Sequence, residues 1–101
     1  MSYYEGVFAD GLSEQIKDLS REELLELIEK PDAKMGDLAF PCFKLAKIFR
    51  KAPHMISKEI VENLKFNGEF SEVKAMGPYI NVFIDKSSLL NHIQQIQTNL
   101  K

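Results

Sequence analysis

The sequence predicts an α+β fold in which a small, mostly antiparallel sheet packs against helices in two layers. Three observations predict it: helical periodicity in several stretches before residue 68, alternation of period two from Phe70 to Asp85, and a Gly77-Pro78 turn pair inside that alternating stretch. The 101 residues contain neither an internal repeat nor a linker, so we expect a single domain over residues 1–101.

The N-terminal third is predicted to hold two helices. The first, roughly Tyr3 to Lys17, is weakly amphipathic. The second begins after Ser20, because Ser20 and Glu23 have the spacing of a capping box, in which the Ser20 hydroxyl accepts from the Glu23 amide and Glu23 reaches back. This helix should stop at Lys30-Pro31, since the residue before a proline disfavours helical backbone.

A short strand and two further helices are predicted for the middle of the chain. Leu38–Phe40 is the candidate strand, and a helical period begins at Pro41. Pro53 ends that helix and suits the first turn of the next, which should end near Asn67-Gly68. The apolar stripes of the two helices are Leu45, Ile48, Phe49 and Ala52, then Ile56, Ile60, Val61 and Leu64.

The C-terminal third is predicted to form a β-hairpin and a last helix. Phe70 to Met76 and Tyr79 to Asp85 are the strands of the hairpin, with Gly77-Pro78 as the tight connection. Ser87 or Ser88 caps the helix, whose apolar stripe is Leu89, Ile93, Ile96 and Leu100. Because this periodicity still runs at Lys101, we expect the chain to be the N-terminal piece of a longer protein.

Composition excludes several classes of protein. Cys42 is the single cysteine, so an internal disulfide is excluded and a reducing cytoplasm is favoured. A structural zinc site is also disfavoured, because the chain has only this one cysteine and two histidines that are far apart in the sequence. No run approaches the ~20 apolar residues of a membrane helix, and the N-terminus lacks the layout of a signal peptide. We therefore expect a cytoplasmic protein with no metal and no membrane partner.

The net charge of −2 conceals two oppositely charged parts. Residues 1–33 carry a net charge of −6, and residues 34–101 a net charge of +4. Pro41 to Lys58 contains no acidic residue, and a basic segment of this kind suits phosphate groups. The candidate phosphate contacts are Lys44, Lys47, Arg50 and Lys51. The alternative is that these side chains form the solvated face of an amphipathic helix.

The last predicted strand carries the candidate recognition residues. Alternation places Ile80, Val82 and Ile84 on one face, which we expect in the core, and Tyr79, Asn81 and Phe83 on the other. An aromatic ring that stacks on an unpaired base, next to an amide that reads its edge, is typical of single-stranded RNA recognition. On this reading Tyr79 and Asn81 should be exposed. The alternative is a strand buried on both faces.

Two motifs also carry a resemblance to a known family. Gly36-Asp-Leu-Ala-Phe-Pro-Cys-Phe-Lys-Leu-Ala-Lys47, followed by Gly77-Pro-Tyr-Ile-Asn-Val-Phe83, resembles the N-terminal additional domain of arginyl-tRNA synthetase over nearly the whole chain. The resemblance implies a small α+β domain that contacts the elbow of tRNA(Arg), where the D-loop exposes an unpaired base. It implies that Tyr79 and Asn81 approach this base, with Phe83 as a neighbour.

The resemblance also implies what this chain lacks. The His-Ile-Gly-His and Lys-Met-Ser-Lys-Ser elements that hold ATP in that family are absent from the sequence. ATP and Mg²⁺ would therefore be used by a catalytic domain of the same polypeptide, and this domain would hold no cofactor and no catalytic residue.

Three classes of function follow, in order of preference. The first is a monomeric tRNA-binding domain of an arginine–tRNA ligase. The second is a protein-interaction module that docks through Tyr79, Asn81 and Phe83 and does not bind RNA. A stand-alone enzyme comes third, because no nucleophile or acid–base pair with a partner stands out in the sequence.

Overall fold

The computed structural model describes residues 3–87, which form four helices and one three-stranded sheet. The helices are α1 (Tyr3–Ser13), α2 (Arg21–Leu27), α3 (Phe43–Phe49) and α4 (Pro53–Asn63), and the strands are β1 (Leu38–Pro41), β2 (Phe70–Met76) and β3 (Tyr79–Ile84). The predicted α+β class is confirmed. The predicted last helix lies, beyond Ser87, outside the described residues.

The sheet has the order β1-β3-β2, and both pairings are antiparallel. Val82 of the central strand stands opposite Leu38 on one side and Val73 on the other. The connection from β2 to β3 is the predicted Gly77-Pro78 turn, in which Gly77 has a φ of 57°. A positive φ followed by proline matches a type II′ turn, which suits the twist of a two-residue hairpin.

The starts of α1, α2 and α4 are as predicted, whereas α3 begins at Phe43 because Pro41 is still part of β1. All four helices end earlier than predicted. The capping box of α2 is present, with Ser20 and Glu23 bonded in both directions, and Pro53 occupies the first turn of α4. Helix α1 ends at Ser13, whose hydroxyl donates to the Asp10 carbonyl. Helix α2 ends at Leu27 rather than Lys30, because Glu29 leaves the helix to pair with Ala39 of β1.

Helix α4 ends at Asn63 instead of reaching Asn67-Gly68. Leu64 is already extended, and the chain turns so that the Phe66 ring lies 4.7 Å from the Phe70 ring, centroid to centroid. Phe8 of α1 joins them, 6.5 Å from Phe66 and 6.0 Å from Phe70. The free energy gained by burying this aromatic cluster exceeds that of a few more residues of helix, since each buried Phe contributes about 1.5–3 kcal/mol to stability.

The core lies on one face of the sheet, between the strands and the helices. Ile80 and Val82 are fully buried there, as predicted, whereas Ile84 is half-buried. The other large buried side chains include Phe8, Leu12, Ile16, Leu24, Phe40, Leu45 and Ile56. Ile48, which the helical period assigned to the core, is 39% exposed, because α3 is only seven residues long and packs mainly through Leu45.

Gly36 allows the segment before β1 to fold back over the sheet. Its φ is 136°, and a Cβ atom there would lie 3.0 Å from the Val82 carbonyl oxygen. The next residue, Asp37, bonds twice to β3: its amide donates to the Val82 carbonyl at 2.8 Å, and its carboxylate accepts from the Ile84 amide at 2.7 Å. A turn with a side-chain bond is therefore present at Gly36-Asp37, and only glycine fits position 36 without strain.

Replacing Gly36 with alanine should lower the free energy of unfolding by about 1–3 kcal/mol, because the substitution adds backbone strain and a close contact. Gly77→Ala is the matched control: its φ of 57° is also one that side chains rarely adopt, but nothing lies within 4 Å of the added Cβ, so this variant has backbone strain without the close contact. That control should cost less than Gly36→Ala, about 1–2 kcal/mol. Urea unfolding of both variants measures the difference, and equal losses would contradict the role given to Gly36.

Candidate nucleic-acid interface

The second face of the sheet, opposite the core, carries the predicted recognition residues. Because side chains of directly paired residues share a face, Tyr79, Asn81 and Phe83 of β3 stand beside residues of both neighbouring strands. These neighbours are Ala39 and Pro41 of β1 and Glu72, Lys74 and Met76 of β2. The structure thus confirms that the three predicted residues share one face, but their surroundings differ.

Tyr79 is half-buried and contacts an aromatic residue that the sequence analysis did not select. The ring of Phe43, the first residue of α3, lies 5.7 Å from the Tyr79 ring, with 88° between the two planes. Phe43 is 53% exposed. A signal was available: Phe43 lies off the apolar stripe of its own helix and shares a stripe with Lys47 and Arg50, four and seven residues further on.

Two hydrogen bonds hold the turn that carries Tyr79. The Cys42 amide donates to the Pro78 carbonyl at 2.9 Å, and the buried Ser57 hydroxyl of α4 lies 2.7 Å from the Gly77 carbonyl oxygen, to which it donates. The start of α3 and the second turn of α4 are therefore attached to the same two-residue loop. This attachment fixes where Tyr79 begins its strand.

Cys42 has a structural role in this arrangement. Its thiol is fully buried, and burial raises its pKa from 9.0 to about 12. A reactive cysteine needs a stabilised thiolate, so the chemistry of Cys42 is that of a small apolar side chain. Cys42 is therefore a packed residue of the core.

Asn81 is buried, so the expectation that it is exposed was wrong. Only 2% of its surface is exposed, and its Nδ2 atom donates to the main-chain carbonyl of Met35. The segment that folds back at Gly36 covers it, a tertiary contact that the alternation of a strand cannot reveal. The Oδ1 atom of Asn81 is also buried and has no hydrogen-bond partner among the described residues.

Phe83 stands apart from Tyr79. It is half-buried, and the Lys74 ammonium lies 5.7 Å from the centre of its ring. Lys74 is paired in turn with Glu72 at 3.1 Å. Four residues along a strand span about 13 Å, so the two rings are not parts of one contact.

The four predicted phosphate contacts are all exposed, but they differ in their neighbours. Lys51 pairs with Glu59 of α4 at 2.9 Å. The stretch from Pro41 to Lys58 contains no acidic residue, but folding thus brings an acidic side chain against it. Hydrogen bonds with Ser20 lower the pKa of the Glu23 carboxyl, and the charge of Lys44 is a smaller cause in the same direction. Within the described part of the chain, Lys47 and Arg50 form no ion pair.

Arg50 ends α3 in an unusual backbone conformation. Its φ of 54° and ψ of 44° are left-handed, and it is the one residue other than glycine with a positive φ between residues 3 and 87. Glycine commonly occupies this position at the end of a helix. The basic residue is therefore held at a cost of about 1–2 kcal/mol.

No metal site or membrane helix is found in the part of the chain that the structure describes. Residues 3–87 contain no group of three or more His, Cys, Asp or Glu side chains that could hold a metal ion. None of the helices within that range is both long and apolar enough to cross a membrane.

Asn81→Ala should lower the free energy of unfolding by about 1–3 kcal/mol, because it leaves the Met35 carbonyl without its donor in a buried site. Asn63→Ala is the matched control, since Asn63 also donates its side-chain amide to a main-chain carbonyl, that of Glu59, but is exposed. That control should stay within about 0.5 kcal/mol of the wild type. Urea unfolding checks both values, and an unchanged Asn81→Ala variant would show that the Met35 contact is unimportant.

Comparison with known proteins agrees with these features. Residues 6–84 match the family described as "Arginyl tRNA synthetase N terminal domain". The chain is 50% identical over 90 residues to the arginine–tRNA ligase of Clostridioides difficile (strain 630). This matched region covers 88% of this chain and 16% of that protein. It is 49% identical over 92 residues to the arginine–tRNA ligase of Exiguobacterium sibiricum, covering 89% of this chain and 16% of that protein.

A solved structure is similar as well. The arginyl-tRNA synthetase of Thermus thermophilus superposes with a TM-score of 0.69 at 26% sequence identity, over 91% of this chain and 15% of that chain. The chain thus spans only about one sixth of the length of the relatives it matches. On the family match and the identities together, the chain belongs to the arginyl-tRNA synthetase N-terminal domain family.

Proposed function

We propose that this domain binds tRNA(Arg) at its elbow on behalf of a full-length arginine–tRNA ligase. Membership of the family and the names of the relatives support a place in such a ligase. The domain would position the tRNA, while a separate catalytic domain of the same polypeptide carries out the ATP-dependent reaction. D-loop contact is the finer part of this proposal, and it depends on the second face of the sheet.

The observation that carries the proposal is the position of Tyr79 beside the start of a basic helix. The half-buried Tyr79 ring keeps some exposed surface, and an aromatic π-face is a platform on which an unpaired base can stack. Lys47 and Arg50 follow on the stripe that starts at Phe43, and seven residues of helix advance by about 10 Å. A base on Tyr79 would therefore leave the adjoining phosphates within reach of these two side chains.

Arg50 and Lys47 are the strongest candidates for phosphate contact among the four basic residues. Both lack an ion pair within the described residues, whereas Lys51 is neutralised by Glu59 and Lys44 lies near Glu23. A strained backbone at Arg50 also supports a role for its side chain, because a glycine there would relieve the strain.

Asn81 remains the proposed reader of the base edge, with a changed mechanism. Its Nδ2 atom is engaged by Met35, but its Oδ1 atom is an acceptor without a partner in the described structure. An unsatisfied buried acceptor is costly, so a donor group on a base would be bound favourably there. Because Oδ1 is buried, access would require a local opening around Asn81, such as movement of the segment bonded to it through the Met35 carbonyl.

The competing function is docking of another protein domain on the same face. The exposed side chains of Phe43 and Met35 favour it, because both are large and apolar. Salt dependence separates the two functions: phosphate contacts release counterions on binding, and an apolar interface does not.

The remaining parts of the proposal concern the full-length protein. ATP and Mg²⁺ would be bound by its catalytic domain, and we expect the ligase to act as a cytoplasmic monomer. The resemblance to the family implies the use of ATP and Mg²⁺, and the single cysteine favours a reducing cytoplasm.

Tyr79→Ala in the full-length ligase should weaken tRNA(Arg) binding by about five- to 150-fold, which corresponds to the 1–3 kcal/mol of one stacked base. Tyr79→Phe should have a smaller effect, because it keeps the π-face. Tyr3→Ala is the matched control: Tyr3 is 53% exposed but lies in the acidic N-terminal part. Filter binding or fluorescence anisotropy would measure the three affinities. Wild-type affinity for a folded Tyr79→Ala protein would refute the stacking role.

A Lys47→Ala/Arg50→Ala variant of the ligase should bind tRNA more weakly and with less dependence on salt. Each lost phosphate contact lowers the slope of log K against log [salt] by about 0.7–0.9. The matched control is Lys17→Ala/Lys65→Ala, which removes the same charge from exposed residues that follow the C-terminal ends of α1 and α4. If both variants retain the wild-type slope, α3 is only a solvated surface.

A further inference from the structure

Phe43 is an exposed aromatic residue that the core does not use. More than half of its surface is exposed, although its neighbours Cys42 and Leu45 are fully buried. A single exposed phenylalanine is unremarkable on a protein surface. Phe43 differs because its ring contacts Tyr79, the ring proposed to stack on a base.

The two rings form a right-angled corner. Their planes are 88° apart and their centroids 5.7 Å apart, an edge-to-face arrangement that aromatic pairs favour. A flat heteroaromatic ring that stacks on one wall of such a corner presents its edge to the other wall. A corner therefore restricts the in-plane position of a base, which a single ring cannot do.

The backbone on both sides of the corner is fixed. Pro41, two residues before Phe43, is the cross-strand partner of Tyr79. The Cys42 amide donates to Pro78, the residue immediately before Tyr79. Because both rings extend from backbone that is already bonded together, little ordering is required when a ligand binds, and preorganisation of this kind raises affinity.

We infer that Phe43 is a positioning residue for RNA binding, which holds the Tyr79 ring and forms the second wall of a corner for one unpaired base. This inference rests on the proposed function, since it assumes that a base stacks on Tyr79. It assigns Phe43 a role that depends on the base and not on the phosphates.

The experiment is a double-mutant cycle in the full-length ligase with Phe43→Ala, Tyr79→Ala and the double variant. The probes are a tRNA(Arg) transcript and a series of transcripts in which each unpaired D-loop nucleotide in turn is abasic. Phe43→Ala should weaken binding of the intact transcript by about two- to twelve-fold, the range for an aromatic pair. One abasic transcript should be insensitive to Tyr79→Ala, because it lacks the stacked base, and Phe43→Ala should not weaken binding of that transcript either. The salt dependence of tRNA binding should be the same for Phe43→Ala and the wild type.

Three further variants separate positioning from a merely structural effect. Phe43→Tyr should restore most of the affinity because it keeps the ring, whereas Phe43→Leu, which keeps apolar surface without a ring, should not. Ile48→Ala is the matched control, an exposed apolar residue of the same helix that is not part of the corner. It should bind every transcript as the wild type does, and thermal unfolding would verify that all variants are folded.

Each outcome bears on a distinct claim. The corner is supported if Phe43→Ala weakens binding of every transcript that keeps the base bound by Tyr79, spares the transcript that lacks this base, and acts non-additively with Tyr79→Ala. If Tyr79→Ala weakens binding while Phe43→Ala does not, the inference is wrong and the proposed function stands. If Phe43→Ala weakens all transcripts equally, or if the two effects add, Phe43 does not act through the base, and the inference is again wrong. If neither substitution matters, the proposed RNA contact at this face fails, and the corner fails with it.

Discussion

The rest of the domain depends on the central position of β3. This strand is hydrogen-bonded along both edges. Its two faces differ: the face with Ile80 and Val82 closes the core, and the opposite face carries the polar and aromatic residues. A strand with two bonded edges cannot slip in register without exposing its aliphatic residues, which a core of this size could not tolerate. The candidate interface is therefore built on the central strand of the sheet, whose register is fixed on both edges.

The Gly77-Pro78 turn connects this strand to the helices. Ser57 of α4 and Cys42 at the start of α3 each bond to a carbonyl of the turn, so the basic helix and the aromatic end of β3 keep a fixed relation. Side chains on helices and strands are positioned more precisely than side chains on loops. The small buried residues Cys42 and Ser57 thus have an indirect function, since they determine where larger side chains are presented.

The charge of the domain is separated in a way that suits a large acidic partner. The acidic residues concentrate in positions 1–33, which include α1 and α2, and most of the basic ones follow. The exposed basic residues of α3 would attract a nucleic acid, and long-range attraction of this kind speeds the encounter. Because Lys51 is paired with Glu59, the basic side chains of this region that remain for phosphate groups are mainly Lys47 and Arg50, which follow Phe43 along the chain.

The sequence by itself determined the α+β class, the hairpin, the capping box and the buried side of β3, because periodicity, proline and glycine act locally. Local patterns also placed Tyr79, Asn81 and Phe83 on one face. Only the tertiary structure decided that Met35 covers Asn81, that Glu59 pairs with Lys51 and that Phe43 meets Tyr79. These contacts join segments brought together by folding, and no periodicity encodes the distance between separate elements.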